Sequence, residues 1–200
     1  MTMNSRKTLE KKQLKSLFWR SFTTSHAWHY ERQQHMAFEF AMIPVINKLY
    51  DKEEDRIDAY KRHMEFYNCQ TAMQPFICGV AAAMEEENAN NEEFDTSSIS
   101  AMKVALMGPL AGIGDSLIVG TYIPVLLGIA LGLSEGGSLI GPLFYIIVWN
   151  ITSILFQKWI YGKGYELGGS AVEVIVGEQA TALRESVIVM GQVIVGAMAG

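Results

Sequence analysis

Gly108-Pro109-Leu110-Ala111-Gly112-Ile113-Gly114-Asp115-Ser116 stands inside an apolar run over residues 101–133, and its reading decides the fold. Three glycines and a proline weaken a straight helix, because glycine has no side chain to favour helix and proline removes a backbone donor. The flanks are as apolar as membrane segments, yet a carboxylate, Asp115, stands at the seam. At membrane depth, irregular backbone is tolerated only where protein buries it or where it lines a cavity, an arrangement that builds binding sites from half-helices. The block therefore predicts a helix broken at Gly108, Pro109, Gly112 and Gly114, with 99–107 and 117–133 as its limbs.

Outward from this block, the composition divides the chain. Half of the 200 residues are hydrophobic and 18% are charged, and the mean hydropathy of +0.15 lies between soluble and membrane classes. Residues 104–157 hold only Asp115 and Glu135 as charged groups, and most of the remaining charge lies in 1–98. The expected organisation is an amphipathic cytoplasmic or interfacial helical region over 1–98 and a membrane region over 99–200, parted by the polar stretch 88–98. A net charge of −5 and a pI near 5.4 argue against nucleic-acid binding, which calls for a concentrated basic face. Cys69 and Cys78 read as free thiols, too few for a disulfide or metal framework. The charged N-terminus has no hydrophobic core or cleavage site and is not a secretory signal.

Lys7, Lys11, Lys12 and Lys15, followed by Leu14, Leu17 and Phe18, make a basic amphipathic start, either a solvated helix end or a segment resting on an anionic leaflet. Over 28–50, Phe38, Met42, Val45 and Leu49 mark one helical face, with Pro44 expected to kink or end it. Ile57, Tyr60, Met64 and Tyr67 predict a second amphipathic helix. The apolar run 75–84 is too short to span a bilayer and ends in Glu85-Glu86-Glu87, which reads as a solvated helix end or a docking point for a soluble partner.

Beyond the block, 134–137 reads as a turn. Residues 138–156 carry no charge and are long enough to span, ending in a collar of Lys158, Trp159, Tyr161 and Lys163. The basic N-terminal half and these lysines belong inside, which predicts a multi-pass membrane protein with a cytoplasmic N-terminus. Residues 186–200 are apolar but too short to span, so the sequence reads as ending in mid-element. The fold class is all-α, a membrane protein with amphipathic N-terminal helices and a Gly/Pro-interrupted membrane helix.

Several blocks resemble the IID component of the mannose/fructose/sorbose-family phosphotransferase system, a sugar transporter. They are Phe18-Trp19-Arg20-Ser21-Phe22, Trp28-His29-Tyr30-Glu31-Arg32-Gln33, Arg62-His63-Met64-Glu65-Phe66-Tyr67-Asn68, Met84-Glu85-Glu86-Glu87-Asn88-Ala89-Asn90, and above all Lys103-Val104-Ala105-Leu106-Met107 running into the Gly108 to Ser116 block. The likeness covers roughly residues 17–200. It implies a membrane subunit that pairs with a IIC partner, as a trimer of IIC–IID pairs with a moving core domain, and takes a hexose inward. IIB phosphorylates the sugar with phosphate passed on through IIA, and IID itself is not phosphorylated. Where the family reads Asn-Thr-x-Pro, this chain has Asn68-Cys69-Gln70-Thr71. Relatives continue past Gly200, so the resemblance is to a C-terminally truncated member.

Candidate substrate-binding residues are Trp28, His63, Asn68, Gln70 and Asp115. A sugar site needs carboxylates and amides for hydroxyls and an aromatic face for the ring. Asp115 reads equally as a cap for a helix starting at Leu117, and His63 and Glu65 as solvated residues of an interfacial helix. Gly112 and Gly114 are expected to permit close backbone approach or unusual φ. His26, His29 and His35 with Glu31 do not share one helical face, so no metal is expected; Glu31 and Arg32 read as an ion pair. No cofactor and no catalytic residue is expected, since no nucleophile–base pair appears. Two rivals remain: a non-transporting scaffold for the IIC complex, and a soluble glycine-loop nucleotide-binding enzyme, which predicts strands around the glycines.

Overall fold

The computed structural model describes residues 6–177, and among them every regular element is a helix. In chain order these are α1 (Lys11–Ser21), α2 (His35–Leu49), α3 (Glu53–His63), α4 (Gln74–Asn88), α5 (Ser97–Gly114), a π-helical stretch (Asp115–Tyr122), α6 (Ile123–Gly132), a 3-10 turn (Glu135–Gly137), α7 (Ile140–Leu167), a second 3-10 turn (Gly168–Ser170) and α8 (Ala171–Val176). The all-α expectation holds. The glycines at 108–114 lie in helix, not between strands, which removes the nucleotide-binding rival.

A base of packed helices holds the core. Leu17 and Phe18 of α1, Phe38, Met42, Val45 and Leu49 of α2, Ile77 and Val80 of α4, and Ile99 and Leu106 of α5 are all buried together. Each such side chain contributes roughly 1.5–3 kcal/mol. The predicted face of α2 is thus its core face, but the helix starts at His35 rather than Trp28. Gln33 has φ 56°, outside the helical region, and the turn around it pairs with the loop after α3: Gln34 N–H donates to Tyr67 O at 2.8 Å.

Pro44 does not end α2; it lies inside. Proline deprives the carbonyl four residues earlier of its helical donor. That carbonyl, on Phe40, accepts instead from Arg20 Nη1 at 3.1 Å, and the guanidinium lies 4.5 Å from the centre of the Phe40 ring. The stripe expected over Ile57, Tyr60, Met64 and Tyr67 is not one helix either. α3 ends at His63, Ile57 is exposed, and Tyr67 reaches the core through the turn pairing.

α4 runs almost wholly buried beside α7, the apolar run 75–84 being a core helix. The two approach through glycines. A Cβ on Gly79 would stand 2.5 Å from Tyr161 O and 2.8 Å from Tyr165 N, and one on Gly164 would strike Phe76 O. No larger residue fits at this crossing.

The backbone at the deciding block stays helical, with φ/ψ of −63°/−43° at Gly114 and −64°/−43° at Asp115. The α-helical pattern does stop at Gly114, but it gives way to π winding rather than to two separated half-helices; Ile123 N–H bonds to Ile118 O, five residues back. Pro124 supplies a reason. Its ring would press on the carbonyl four residues earlier, and widening the preceding turn relieves that clash. Asp115 caps no backbone N–H. A Cβ on Gly108 or Gly112 would meet nothing within 4 Å, so the close approach expected at Gly112 is absent.

Two helical runs are long and apolar enough to cross a membrane, Ser97–Gly132 (36 residues) and Ile140–Val176 (37 residues). Between them 134–137 turns as expected, with positive φ at Gly136 (71°) and Gly137 (82°). α6 and the first part of α7 form a hairpin that exposes Leu127, Leu131, Ile147 and Ile151. Of the predicted collar, Lys158 and Trp159 are exposed, Lys163 pairs with Glu166 at 2.6 Å, and Tyr161 turns inward to donate to Leu14 O at 3.0 Å. Lys7 is engaged by Leu49 O and Asp51, leaving Lys11, Lys12 and Lys15 exposed. Residues 186–200 lie outside the described residues.

Candidate functional site

The loop between α3 and α4 carries Asn68, Cys69, Gln70 and Thr71, and it is pinned at both ends. Gln34 Oε1 accepts from Cys69 N–H at 2.9 Å, and Gln70 Oε1 accepts from Ala72 N–H at 2.7 Å. This sets the Gln70 side chain against Gly114, where an added Cβ would lie 2.8 Å from Gln70 Cβ and 3.0 Å from its Oε1. Here glycine is required by close approach. Asp115 follows directly and is exposed. Burial first, and the Asp115 charge more weakly, push the Cys69 thiol up to about 12. Asn68 is exposed on the same loop. The fold thus brings Asn68, Gln70, Gly114 and Asp115 to one corner, from positions more than forty residues apart in sequence. Trp28 lies on the neighbouring turn, half-exposed, with its ring edge-on to Tyr30 at 4.8 Å.

Above this corner opens a cleft of about 240 Å³ between Ala72, the π-helical stretch and α7. Sequence pattern alone does not pick out its side chains. Tyr122 stacks on Trp149 with ring centres 5.9 Å apart, and the Tyr122 hydroxyl lies 2.5 Å from Thr152 Oγ1. Gln157 Nε2 donates to Ser153 Oγ at 2.8 Å. The available signal was the trio Thr152, Ser153 and Gln157, polar residues in or just beyond an otherwise apolar run. The wall of the cleft is almost wholly apolar, because the Tyr122 and Thr152 hydroxyls bond each other and Thr152 also donates to Val148 O. Corner and cleft together offer a carboxylate, an amide and an aromatic face, which is chemistry suited to a polyhydroxylated ring.

His63 is not part of this corner. It is fully buried, and its Nε2 lies 2.8 Å from Glu85 Oε1. Glu85, expected on a solvated helix end, is also fully buried; it receives Arg62 Nε at 2.8 Å, Arg62 Nη2 at 3.0 Å and the Tyr50 hydroxyl at 2.5 Å. Asn88 Nδ2 extends the network by donating to Tyr50 Oη at 2.6 Å, and Lys103 Nζ donates to Arg62 O at 2.5 Å. Burial pushes the Glu85 carboxyl up, but His63 and Arg62 outweigh it and hold the group down at about 2. Burial lowers the His63 pKa against the pull of Glu85. His63 Nδ1 has no partner, so a neutral ring donating through Nε2 leaves only an unfilled acceptor rather than a bare buried N–H. The Glu85-Glu86-Glu87 run is therefore mostly structural: Glu86 accepts from Leu9 N–H and the Tyr165 hydroxyl, and Glu87 alone of the three is exposed.

His29 and His35 face each other at 5.7 Å, with His29 Nδ1 accepting from Glu31 N–H. Glu31 and Arg32, expected in an intersubunit or intrahelical ion pair, instead approach each other at 3.7 Å as exposed neighbours within a turn.

The PTS system mannose/fructose/sorbose family IID component matches residues 8–200. The chain belongs to this family. It is 36% identical to the mannose-specific EIID component of Escherichia coli K12 over 96% of this chain and 68% of that protein. It is 37% identical to the fructose permease IID component of Bacillus subtilis over 98% and 71%. A cryo-EM structure of the mannose transporter ManYZ with microcin E492 is similar at a TM-score of 0.78 and 36% identity, covering 96% of this chain and 70% of that one. A second solved membrane protein is similar at 0.86, again 36% identical. This IID chain is thus a membrane component of a sugar-transporting phosphotransferase system.

Proposed function

We propose that this IID chain pairs with a IIC membrane subunit to bind and translocate a hexose, which IIB then phosphorylates with phosphate passed on through IIA. It sits as a multi-pass subunit of the bacterial inner membrane with its N-terminus cytoplasmic, residues 1–98 forming the cytoplasmic or interfacial part and 99–200 the membrane part. The assembly is a trimer of such pairs. The observation that carries this is the seating of Gln70 on Gly114, which brings an amide to the residue before an exposed carboxylate, Asp115, close to a cleft lined by the Tyr122 and Trp149 rings. An ionised carboxylate accepts two sugar hydroxyls through charge-assisted bonds, and an aromatic face covers the apolar side of the ring. Asn68 and Trp28 stand on the adjoining turns as further contacts.

The test is sugar affinity and uptake in the assembled IIC–IID pair. Asp115→Asn is expected to weaken sugar binding roughly tenfold or more, the loss of one charge-assisted bond of about 1.5–3 kcal/mol, and Gln70→Ala several-fold, the loss of a neutral bond of about 0.5–1.5 kcal/mol, with assembly unchanged. Wild-type affinity in both variants would assign this chain a scaffold role instead.

A further inference from the structure

We propose that Trp28, Tyr30, Phe66 and Trp159 form one lipid-interface belt at the foot of the hairpin, which fixes the membrane level: hydrocarbon surrounds 117–156, and the helical base lies in and beyond one headgroup layer. This rests on the chain being a membrane subunit and adds where the membrane begins.

Three observations support it. First, the hairpin has the height of a bilayer. At 1.5 Å per residue its arms, 117–133 and 138–156, rise about 25–28 Å against a hydrocarbon core of about 30 Å. Second, contacts and short chain connections tie the four aromatic residues to the hairpin's foot. Gln70 sits on Gly114, and Ala72 lines the same cleft as Phe156, three residues before Trp159. Phe66 lies on the loop leading to Gln70, and the pairing of Gln33 with Tyr67 holds the turn that bears Trp28 and Tyr30. Third, all four are exposed, at 47% (Trp28), 88% (Tyr30), 48% (Phe66) and 62% (Trp159). Exposed Glu31, Arg32 and Lys158 interleave with them. The amphipathic rings of Trp28, Tyr30 and Trp159, with charged neighbours, are what a membrane–water interface selects; Phe66 adds an apolar ring beside them.

The base could not share the hydrocarbon. Its surface carries exposed Lys11, Lys12 and Lys15 on α1 and Glu53, Glu54, Asp58 and Lys61 on α3. A charged side chain in the bilayer centre costs roughly 2.5–3.5 kcal/mol on insertion scales. The first half of the long apolar run, α5, therefore belongs to the base, on which it packs the face bearing Ile99, Met102, Leu106 and Leu110. Its buried Lys103, held by Arg62 O and near Glu65, lies outside the hydrocarbon, and Asp115 lies at the interface rather than in mid-membrane.

The experiment places an environment-sensitive fluorophore on Tyr30→Cys, Phe66→Cys and Ile147→Cys in the full chain, in phosphatidylethanolamine–phosphatidylglycerol vesicles. Nitroxide lipids labelled near the headgroup or near the chain end act as quenchers. Cys69 and Cys78 are buried, and the unsubstituted chain reports any labelling there. The ratio of shallow to deep quenching is expected above one at positions 30 and 66 and below one at 147. Deep quenching at 30 and 66 would overturn the proposal by placing the base in hydrocarbon. No quenching there, with deep quenching at 147, would also overturn it, the aromatics then facing water or a protein, while membrane insertion stands. Absence of quenching at all three positions would instead refute the membrane reading on which it rests.

Discussion

Replacing Glu85 with alanine is the most demanding test of how the base is held. Its carboxylate is fully buried and accepts from both Arg62 nitrogens, the Tyr50 hydroxyl and His63 Nε2. Truncation leaves the Arg62 guanidinium, only 13% exposed, with no anion, and two further donors without acceptors. Breaking a buried ion pair from one side costs about 3–5 kcal/mol, a large fraction of a typical folding free energy of about 5–15 kcal/mol. Glu85→Gln keeps the shape and one acceptor but turns a donor toward Arg62, and is expected to cost about 2 kcal/mol. Because the main cost is a stranded charge, Arg62→Met should partly rescue Glu85→Leu. The assay is reversible chemical unfolding in detergent micelles, followed by circular dichroism and analysed as a double-mutant cycle. A Glu85→Ala loss below about 1 kcal/mol, or an Arg62→Met effect that simply adds to that of Glu85→Leu, would refute the argument.

Stability should also fall with acid. Glu85 sits at about 2 when folded against an ordinary 4.5, so its contribution is present above pH 4.5 and lost as pH falls toward 2, about 3 kcal/mol in all. His63, lowered from 6.5 by burial, adds a loss that begins below pH 6.5, because the unfolded chain takes up the proton first. Unfolding midpoints measured from pH 8 to pH 2 check this, and a midpoint that rises as pH falls from 7 would contradict it. The glycines make a contrasting pair. Gly79→Ala should lower the melting temperature by overpacking against Tyr161 and Tyr165, at about 1–3 kcal/mol. Gly112→Ala meets open space within its helix and should leave the melting temperature equal or higher, by up to about 1 kcal/mol of helix propensity. Equal destabilisation of the two would show that the α4–α7 crossing is not the cause.

What the sequence made legible was governed by locality. The hairpin arms 117–133 and 138–156 and the turn between them follow from length, apolarity and two glycines, all readable within a short window. α2's core face followed from period, but its continuation through Pro44 did not, because the compensating donor, Arg20, comes from another helix. Glu85 looked solvated for the same reason: its partners Arg62 and His63 lie more than twenty residues upstream, and a run of three glutamates carries no local sign that the first turns inward. The α-helical pattern does give way within the glycine-rich block, at Gly114, but α5 runs straight through Gly108, Pro109 and Gly112. The form of the block was misjudged, since glycine weakens a helix without forbidding it and the packed base holds the backbone helical. Of the candidate site, Gln70 and Asp115 were named from residue chemistry, whereas their meeting across Gly114, and the Tyr122 and Trp149 platform, required the tertiary fold.

The two arms of the hairpin differ mechanically. α7 is one uninterrupted α-helix from near the tip down into the glycine crossing with α4, so it joins the tip to the base without a break. The other arm contains the π-helical stretch, where the chain is stored more loosely per turn. Letting that stretch tighten by one residue would turn everything beyond it by about 100° while its foot stayed in place. The hairpin thus has a stiff rod on one side and a ratchet step on the other. Tyr122, at the last residue of that step and in contact with Thr152 of the rod, is where a change in one arm would first be felt by its neighbour.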